Sequence, residues 1–215
     1  MKIVITILSL TLLLRASSGV EMAVNVNGGS SDVRAGLPLL IAATIVSDSQ
    51  LEPTWAEALV PTLTRADSGD AVIIPVLRST RTQGATGRLL WTVAPDVTSA
   101  MQPGLYSLHL GEATAFLRIS IQPAESSEQQ ETEALLLARW NAIDGRAREA
   151  INALESWIAA HEASIGALLL KADLHEAEGE ISQAVEVVAR AIRLSPASGE
   201  GPVLLLRRQS ELLAK

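Results

Sequence analysis

Cysteine is missing from the chain altogether, which excludes disulfides, a thiol nucleophile and thiolate metal ligands. Stability must therefore come from packing. Aromatic residues are scarce, with four tryptophans, one tyrosine and one phenylalanine in 215 residues. That is thin material for the exposed ring platforms that sugar binding usually needs. The three histidines, His109, His161 and His175, lie 52 and 14 residues apart and form no metal-ligand spacing. Basic runs are absent and the formal net charge is −7. Such a chain is poorly suited to nucleic acid, where phosphate contacts dominate affinity, and to anionic lipid surfaces. No Gly-x-Ser-x-Gly elbow occurs. Gly84–Gly87 lacks the Lys-Ser/Thr of a phosphate-cradling loop and precedes a strand pattern rather than a helix. Asp32, Asp67 and Asp70 sit among Ser and Gly, but their spacing matches no calcium loop and reads as solvated turns. No metal, cofactor or catalytic residue is expected.

What is present begins with a leader pattern. Lys2 supplies a short positive region, Ile3–Leu14 is a twelve-residue apolar run, and Ala16–Gly19 offers small residues for cleavage. The run is shorter than the roughly 20 residues of a comfortable membrane span. Residues 1–19 thus read as a signal peptide, with an uncleaved anchor as the alternative. The expected location is exported, periplasmic or secreted, in a bacterium. Cleavage after Ser18 would remove Lys2 and Arg15 and no acid, leaving 15 basic and 24 acidic residues.

Residues 20–123 have a β grammar: short β-branched runs bounded by Gly, Pro, Ser and Asp. Strands are predicted near Val20–Asn27, Leu39–Ser47, Ala71–Ser79, Arg88–Val93, Gly104–Leu110 and Ala113–Gln122. Turn chemistry separates them at Asn27–Ser30, Gln83–Gly87 and Gly111–Glu112. Leu51–Leu63 is ambiguous between a short helix capped by Thr54 and Glu57 and a further strand over Val60–Arg65. Six or seven strands in about 100 residues favour an antiparallel β-sandwich. In Gln102-Pro103-Gly104-Leu105-Tyr106, a Pro-Gly turn leads a lone tyrosine into a late strand. This resembles the corner tyrosine of immunoglobulin-like and fibronectin-type sandwiches. The resemblance implies a hydroxyl tied back to the preceding loop, with Trp91 as a core tryptophan. Of Trp55, Trp91, Tyr106 and Phe116, at least two should be core. Polar residues 124–130 read as a linker or as the start of a helix capped by Ser126 or Ser127.

Residues 131–215 repeat. Ala138 recurs as Ala172, Gly145 as Gly179, Ala150 as Ala184 and Leu154 as Val188, each 34 residues on. That period marks stacked helical hairpins. Apolar residues three and four apart, as at Leu136, Leu137, Trp140 and Ile143, give each helix one greasy face. The units are 131–164 and 165–198, followed by a closing helix over Pro202–Ala214. The pattern resembles the tetratricopeptide repeat family. Leu168, Ala172, Gly179, Ala184, Ala191 and Pro196 match in the second copy, and Leu137, Ala138, Gly145, Ala150 and Leu154 in the first. The first copy departs at Trp157 and Glu162, and the usual tyrosine is Asn141 or His175. The resemblance implies a concave face lined by Leu135, Arg139 and Ala142, then Leu169, Asp173 and Glu176, then Val203, Arg207 and Ser210. Mixed charge beside aliphatic residues suits an extended peptide or a partner's helix. Two repeats make a shallow groove that calls for a partner or self-association, and because arrays of this type usually need about three units for independent stability, docking onto the β-sandwich is the expected source of the missing burial. The fold class expected is a multidomain one, all-β then all-α: an antiparallel β-sandwich followed by tetratricopeptide-like hairpins. The function expected is a non-enzymatic scaffold for a protein or peptide partner. The alternative is a structural subunit of an envelope or secretion assembly.

Overall fold

The computed structural model describes residues 12–15, 20–27, 32–49, 51, 55–57, 59–69, 73–111, 113–195 and 201–214. The leader residues 1–11 and 16–19, the turn residues Gly28–Ser30, Thr54, Asp70, the first two residues of the expected strand at Ala71, Glu112 and Pro196 lie outside the described residues. The chain divides into two compact units, Met1–Pro123 and Ala124–Lys215.

The first unit holds β1 (Leu12–Arg15), β2 (Val20–Val26), β3 (Asp32–Arg34), β4 (Leu39–Ser47), β5 (Thr62–Arg65), β6 (Val76–Gln83) and β7 (Thr86–Val93). A short helix α1 (Pro95–Ala100) follows, then β8 (Gly104–Leu110) and β9 (Ala113–Ser120). They form two sheets, ordered β1-β2-β4-β7-β6 and β3-β9-β8-β5. In β4, Leu39, Ile41, Ala43 and Ile45 are buried while the residues between them are more exposed, which is the period-2 signature of a half-covered strand. Those residues join Leu89, Trp91 and Val93 of β7 and Leu108, Leu117 and Ile119 of the other sheet in one hydrophobic core.

Several expectations are corrected here. The second sheet is mixed rather than antiparallel, because β3 pairs parallel with β9. The ambiguous stretch resolves as strand β5, paired with β8, preceded by a turn at 55–57. Within the described part of the expected third strand, Ile73 forms an isolated bridge with Leu63 and the strand proper is β6, which runs on to Gln83 rather than ending at Ser79. Its eight residues are all exposed at a sheet edge, so burial imposes no alternation on them. The turn before β7 is tighter than expected. Gly87 lies within β7, where an added Cβ would come within 2.4 Å of the Trp55 ring. Inside the stretch read as a leader, Leu12–Arg15 is a strand paired antiparallel with β2, from Leu12 opposite Val24 to Arg15 opposite Glu21. The lone tyrosine is tied back to the preceding loop: Tyr106 is buried and its Oη donates to the Gln102 carbonyl at 2.9 Å. Such a bond contributes about 1 kcal/mol net. Trp91 is buried as well, whereas Trp55 is half-buried and Phe116 exposed.

The second unit is helical: α2 (Ser127–Ile143), α3 (Ala147–Ala160), α4 (Ile165–Ala177), α5 (Ile181–Leu194) and α6 (Gly201–Leu213). Ser126 caps α2 through a reciprocal box with Gln129, so the polar stretch before it is helix start from Ser127 onward. α2 packs on α3, α3 on α4, α2 on α4, α4 on α5 and α5 on α6. No helix among the described residues is long and apolar enough to cross a membrane.

The sequence repeat is repeated in the backbone. α3 and α5 are displaced by 34 residues at both ends. Between the helices of each pair, Gly145 and Gly179 take φ of 80° and 77°, where glycine carries no Cβ penalty. The turn bonds match. The Arg146 amide donates to the Asn141 carbonyl and the Glu180 amide to the His175 carbonyl, both at 2.8 Å. Ala138, Ala172, Ala150 and Ala184 are all fully buried, where a larger side chain would hold the helices apart. Leu154 and Val188 occupy equivalent buried sites.

Candidate interaction surface of the helical unit

The nine residues assigned to a concave face do not behave alike. Leu135, Ala142 and Leu169 are half-buried and pack against a core cluster to which α2, α3, α4, α5 and α6 all contribute, so they serve cohesion as well as surface. Arg139 is exposed. Asp173 and Glu176 are engaged from within the chain. Arg208 of α6 donates to Asp173 Oδ1 at 2.7 Å and to Glu176 Oε2. The guanidinium is largely covered and the Glu176 carboxylate mostly so, which strengthens the pairing relative to an open surface bridge. Arg207 pairs one turn on with Glu211 at 3.0 Å. Ser210 Oγ donates to the Leu206 carbonyl at 3.0 Å, and Val203 is exposed.

Arg208 belongs to a wider set of ties that the sequence reading missed. His175 is buried, and its Nδ1 lies 2.6 Å from Glu180 Oε2. Glu180 also accepts from Arg148 at 2.8 Å, so one carboxylate at the start of α5 joins α4 and α3. Lys171 of α4 donates to Glu155 of α3 at 2.7 Å. Ser164 Oγ, which caps α4, donates to Glu131 Oε1 of α2 at 2.6 Å. A signal was available. Arg148 and Glu180 are 32 residues apart, Asp173 and Arg208 are 35, and Glu131 and Ser164 are 33. Each is close to one repeat, the separation at which adjacent pairs face one another.

The ties make acid stability predictable. Glu180 is held below the ordinary carboxylate range, chiefly by the hydrogen bond from His175 and then by that from Arg148. The hydrogen bond from Lys171 does the same to Glu155. A carboxyl with a depressed pKa in the folded state stabilises the fold above its unfolded pKa. That contribution is lost as pH falls through the lower, folded value. Melting followed at 222 nm should therefore show Glu180→Gln less stable than the parent at pH 7. The gap should narrow as pH drops below about 4. A gap that widens in acid contradicts the assignment.

The other chemistry-bearing residues are occupied structurally. His109 lies 3.1 Å from Thr114 Oγ1 and 3.0 Å from Ser107 Oγ. His161 stacks on Trp157 with ring centroids 3.8 Å apart. Asp67 pairs with Arg65 at 2.7 Å, and Asp32 lies 4.0 Å from Arg118. Among the described residues no group of three or more His, Asp or Glu side chains is placed to hold a metal. In the first unit a pocket of about 540 Å3 is lined by Ile73, Val97, Met101 and Tyr106 with Arg65 at hand. The Arg65 guanidinium is already committed to Asp67 and Gln102, so the pocket offers an apolar wall without an uncommitted cation. Compared with protein-family models, curated proteins and solved structures, the chain matches none.

Proposed function

We propose that the chain is an exported, non-enzymatic protein-interaction scaffold. In this reading an immunoglobulin-like β-sandwich is followed by two tetratricopeptide-like hairpins and a closing helix. The helical unit presents the binding surface. The observation that carries it is the 34-residue repeat carried into the turn bonds at Arg146 and Glu180, because a regular stack of helix pairs builds an extended face. The ion pairs modify the original assignment. With Asp173 and Glu176 held by Arg208, the polar recognition element in this reading is the exposed Arg139, one helical turn after Leu135 on α2. An extended or helical segment carrying a carboxylate and an apolar anchor matches that surface. Export rests on Lys2, the Ile3–Leu14 run and Ala16–Gly19. The non-enzymatic part rests on the structural engagement of His109, His161 and His175.

Capture of cross-linked partners from the native cell tests it. Arg139→Glu should reduce capture several-fold, as reversal of a recognition charge does. Arg81→Glu, on the exposed edge strand of the first unit, should leave capture intact. The opposite pattern would move the binding surface to the sheets.

A further inference from the structure

β2 lies between two strands that hold it unequally. On one side it pairs with β4 along its whole length, from Val20 opposite Ser47 to Val26 opposite Ile41. On the other side it pairs with β1 over four residues only, from Glu21 to Val24. Among the described residues β1 is the outermost strand of this sheet, and it lies wholly inside the stretch that the export reading treats as a leader. Cleavage after Ser18 would sever β1 and keep β2. The edge so opened adjoins the core. Val24 and Val26 are 3% and 6% exposed members of it, and Met22 packs against it. In the register Leu12 stands opposite Val24 and Leu14 opposite Met22, so alternate apolar residues of β1 fall opposite core positions.

We propose that in the exported chain the β2 edge is a strand-acceptor site, filled by an extended segment of a partner protein that adds antiparallel to β2. Loss of β1 rests on the export reading, and the occupant's chemistry on β1 itself, a segment already seated on this edge. The occupant carries apolar residues opposite Met22, Val24 and Val26. It carries a basic residue opposite Glu21, where β1 places Arg15. Opposite charges set directly across an antiparallel pair are favourable and like charges are not. A basic occupant also suits a processed chain with 24 acidic and 15 basic residues. Main-chain hydrogen bonds to the open edge supply affinity, and the alternate side-chain positions supply selectivity. β2 offers seven residues where β1 uses four, so a segment of that length forms more ladder than the leader does. The other edge of this sheet is a poorer template. β6 is interrupted by a bulge between Leu77 and Ser79, and it sets Arg81 opposite Arg88, both of which blunt an edge against strand addition. The site is distinct from the helical surface and does not involve Arg139.

The probe is a labelled synthetic peptide with the sequence of residues 10–16, which spans β2 from Val20 to Val26 in the register of β1. Intact mass of the chain recovered from the native cell separates the two readings. A mass still at 22.7 kDa means that the leader stays, and export with cleavage fails together with the open edge. Where the leader is lost, the recovered chain should bind the probe. The full chain should bind it at least about ten-fold more weakly, because its own β1 competes at an effective concentration near millimolar. Leu13→Pro in the full chain should restore binding, since proline cannot donate to the ladder and β1 then leaves the edge. An Arg15→Glu probe should bind several-fold more weakly, and a probe with Leu12→Asp and Leu14→Asp should not bind. Hydrogen exchange of the β4 and β7 amides reports that the unit is folded in each chain. A folded processed chain that ignores the probe overturns the proposal and leaves export standing. So does equal binding by full and processed chains, or a processed chain that pairs with its own copy at β2 and excludes the probe. If processing unfolds the unit, the Leu13→Pro full chain decides by the same two outcomes, binding or none.

Discussion

Trp91→Ala should cost about 3–5 kcal/mol, enough to leave the first unit marginal against a typical domain stability of about 5–15 kcal/mol. Trp91 is 2% exposed and stands in β7 opposite Ile41 of β4 and Leu77 of β6. It belongs to the core to which both sheets contribute, beside Leu63, Leu108 and Leu117 of the second sheet. Truncation removes the indole's burial and leaves a cavity bounded by residues already fixed in ladders, so collapse around it is limited. With no disulfide in the chain, nothing holds the sheets once that packing is lost. Phe116→Ala on β9 is the control. Phe116 is 53% exposed, so its loss should fall within about 0.5 kcal/mol of the parent. Hydrogen exchange under mild urea measures both. The amides of β4, β7 and β9 should lose protection in Trp91→Ala and keep it in Phe116→Ala. A Trp91→Ala cost below about 1 kcal/mol would mean that the sheets do not share this core.

The sequence was legible where burial imposes a rhythm. β4 and β8 begin and end where alternation and turn residues placed them, and two of the four aromatics of this half, Trp91 and Tyr106, are core, where at least two were expected. Legibility fails where burial is absent or pairing is remote. β6 is wholly exposed, and with no alternation to follow, the expected strand stopped at Ser79, short of Gln83. β3 is three residues long, and its parallel partner lies over 80 residues away, so no local pattern marks it. α1 did leave a trace, with Pro95 at its first position and Asp96 in its first turn, but six residues are too few for a helical period. In the candidate surface the aliphatic positions followed from the repeat. The charges did not. Asp173 and Glu176 read as outward groups until Arg208, 35 and 32 residues later, is set beside them. Conversely, the apolar composition of α6 was plain, yet composition alone could not reveal that Leu205 and Leu212 are buried while Val203, Leu204, Leu206 and Leu213 are exposed.

Leu154→Ala should cost about 2–5 kcal/mol, and Leu154→Val less than about 1.5 kcal/mol. Leu154 is 1% exposed on α3 and packs in the cluster with Ala138, Ala150, Ile158, Ala167 and Leu168. The three alanines let neighbouring backbones approach, and Leu154 fills the space beside them. Alanine there would leave a hole that rigid helices tied by Lys171–Glu155 and Arg148–Glu180 cannot easily close. Valine is different because the repeat has already tested it. Val188 holds the equivalent place on α5 at 0% exposure, beside Ala172 and Ala184. The reciprocal change, Val188→Leu, should be tolerated to a similar degree if the two pairs share one geometry. Urea unfolding of the four chains, parent included, gives the comparison from midpoints at unchanged slope. If Leu154→Val costs as much as Leu154→Ala while Val188→Leu is neutral, the pockets differ in shape. The 34-residue correspondence would then be one of sequence and turns only, and the extended face that the scaffold reading needs would lose its regular spacing.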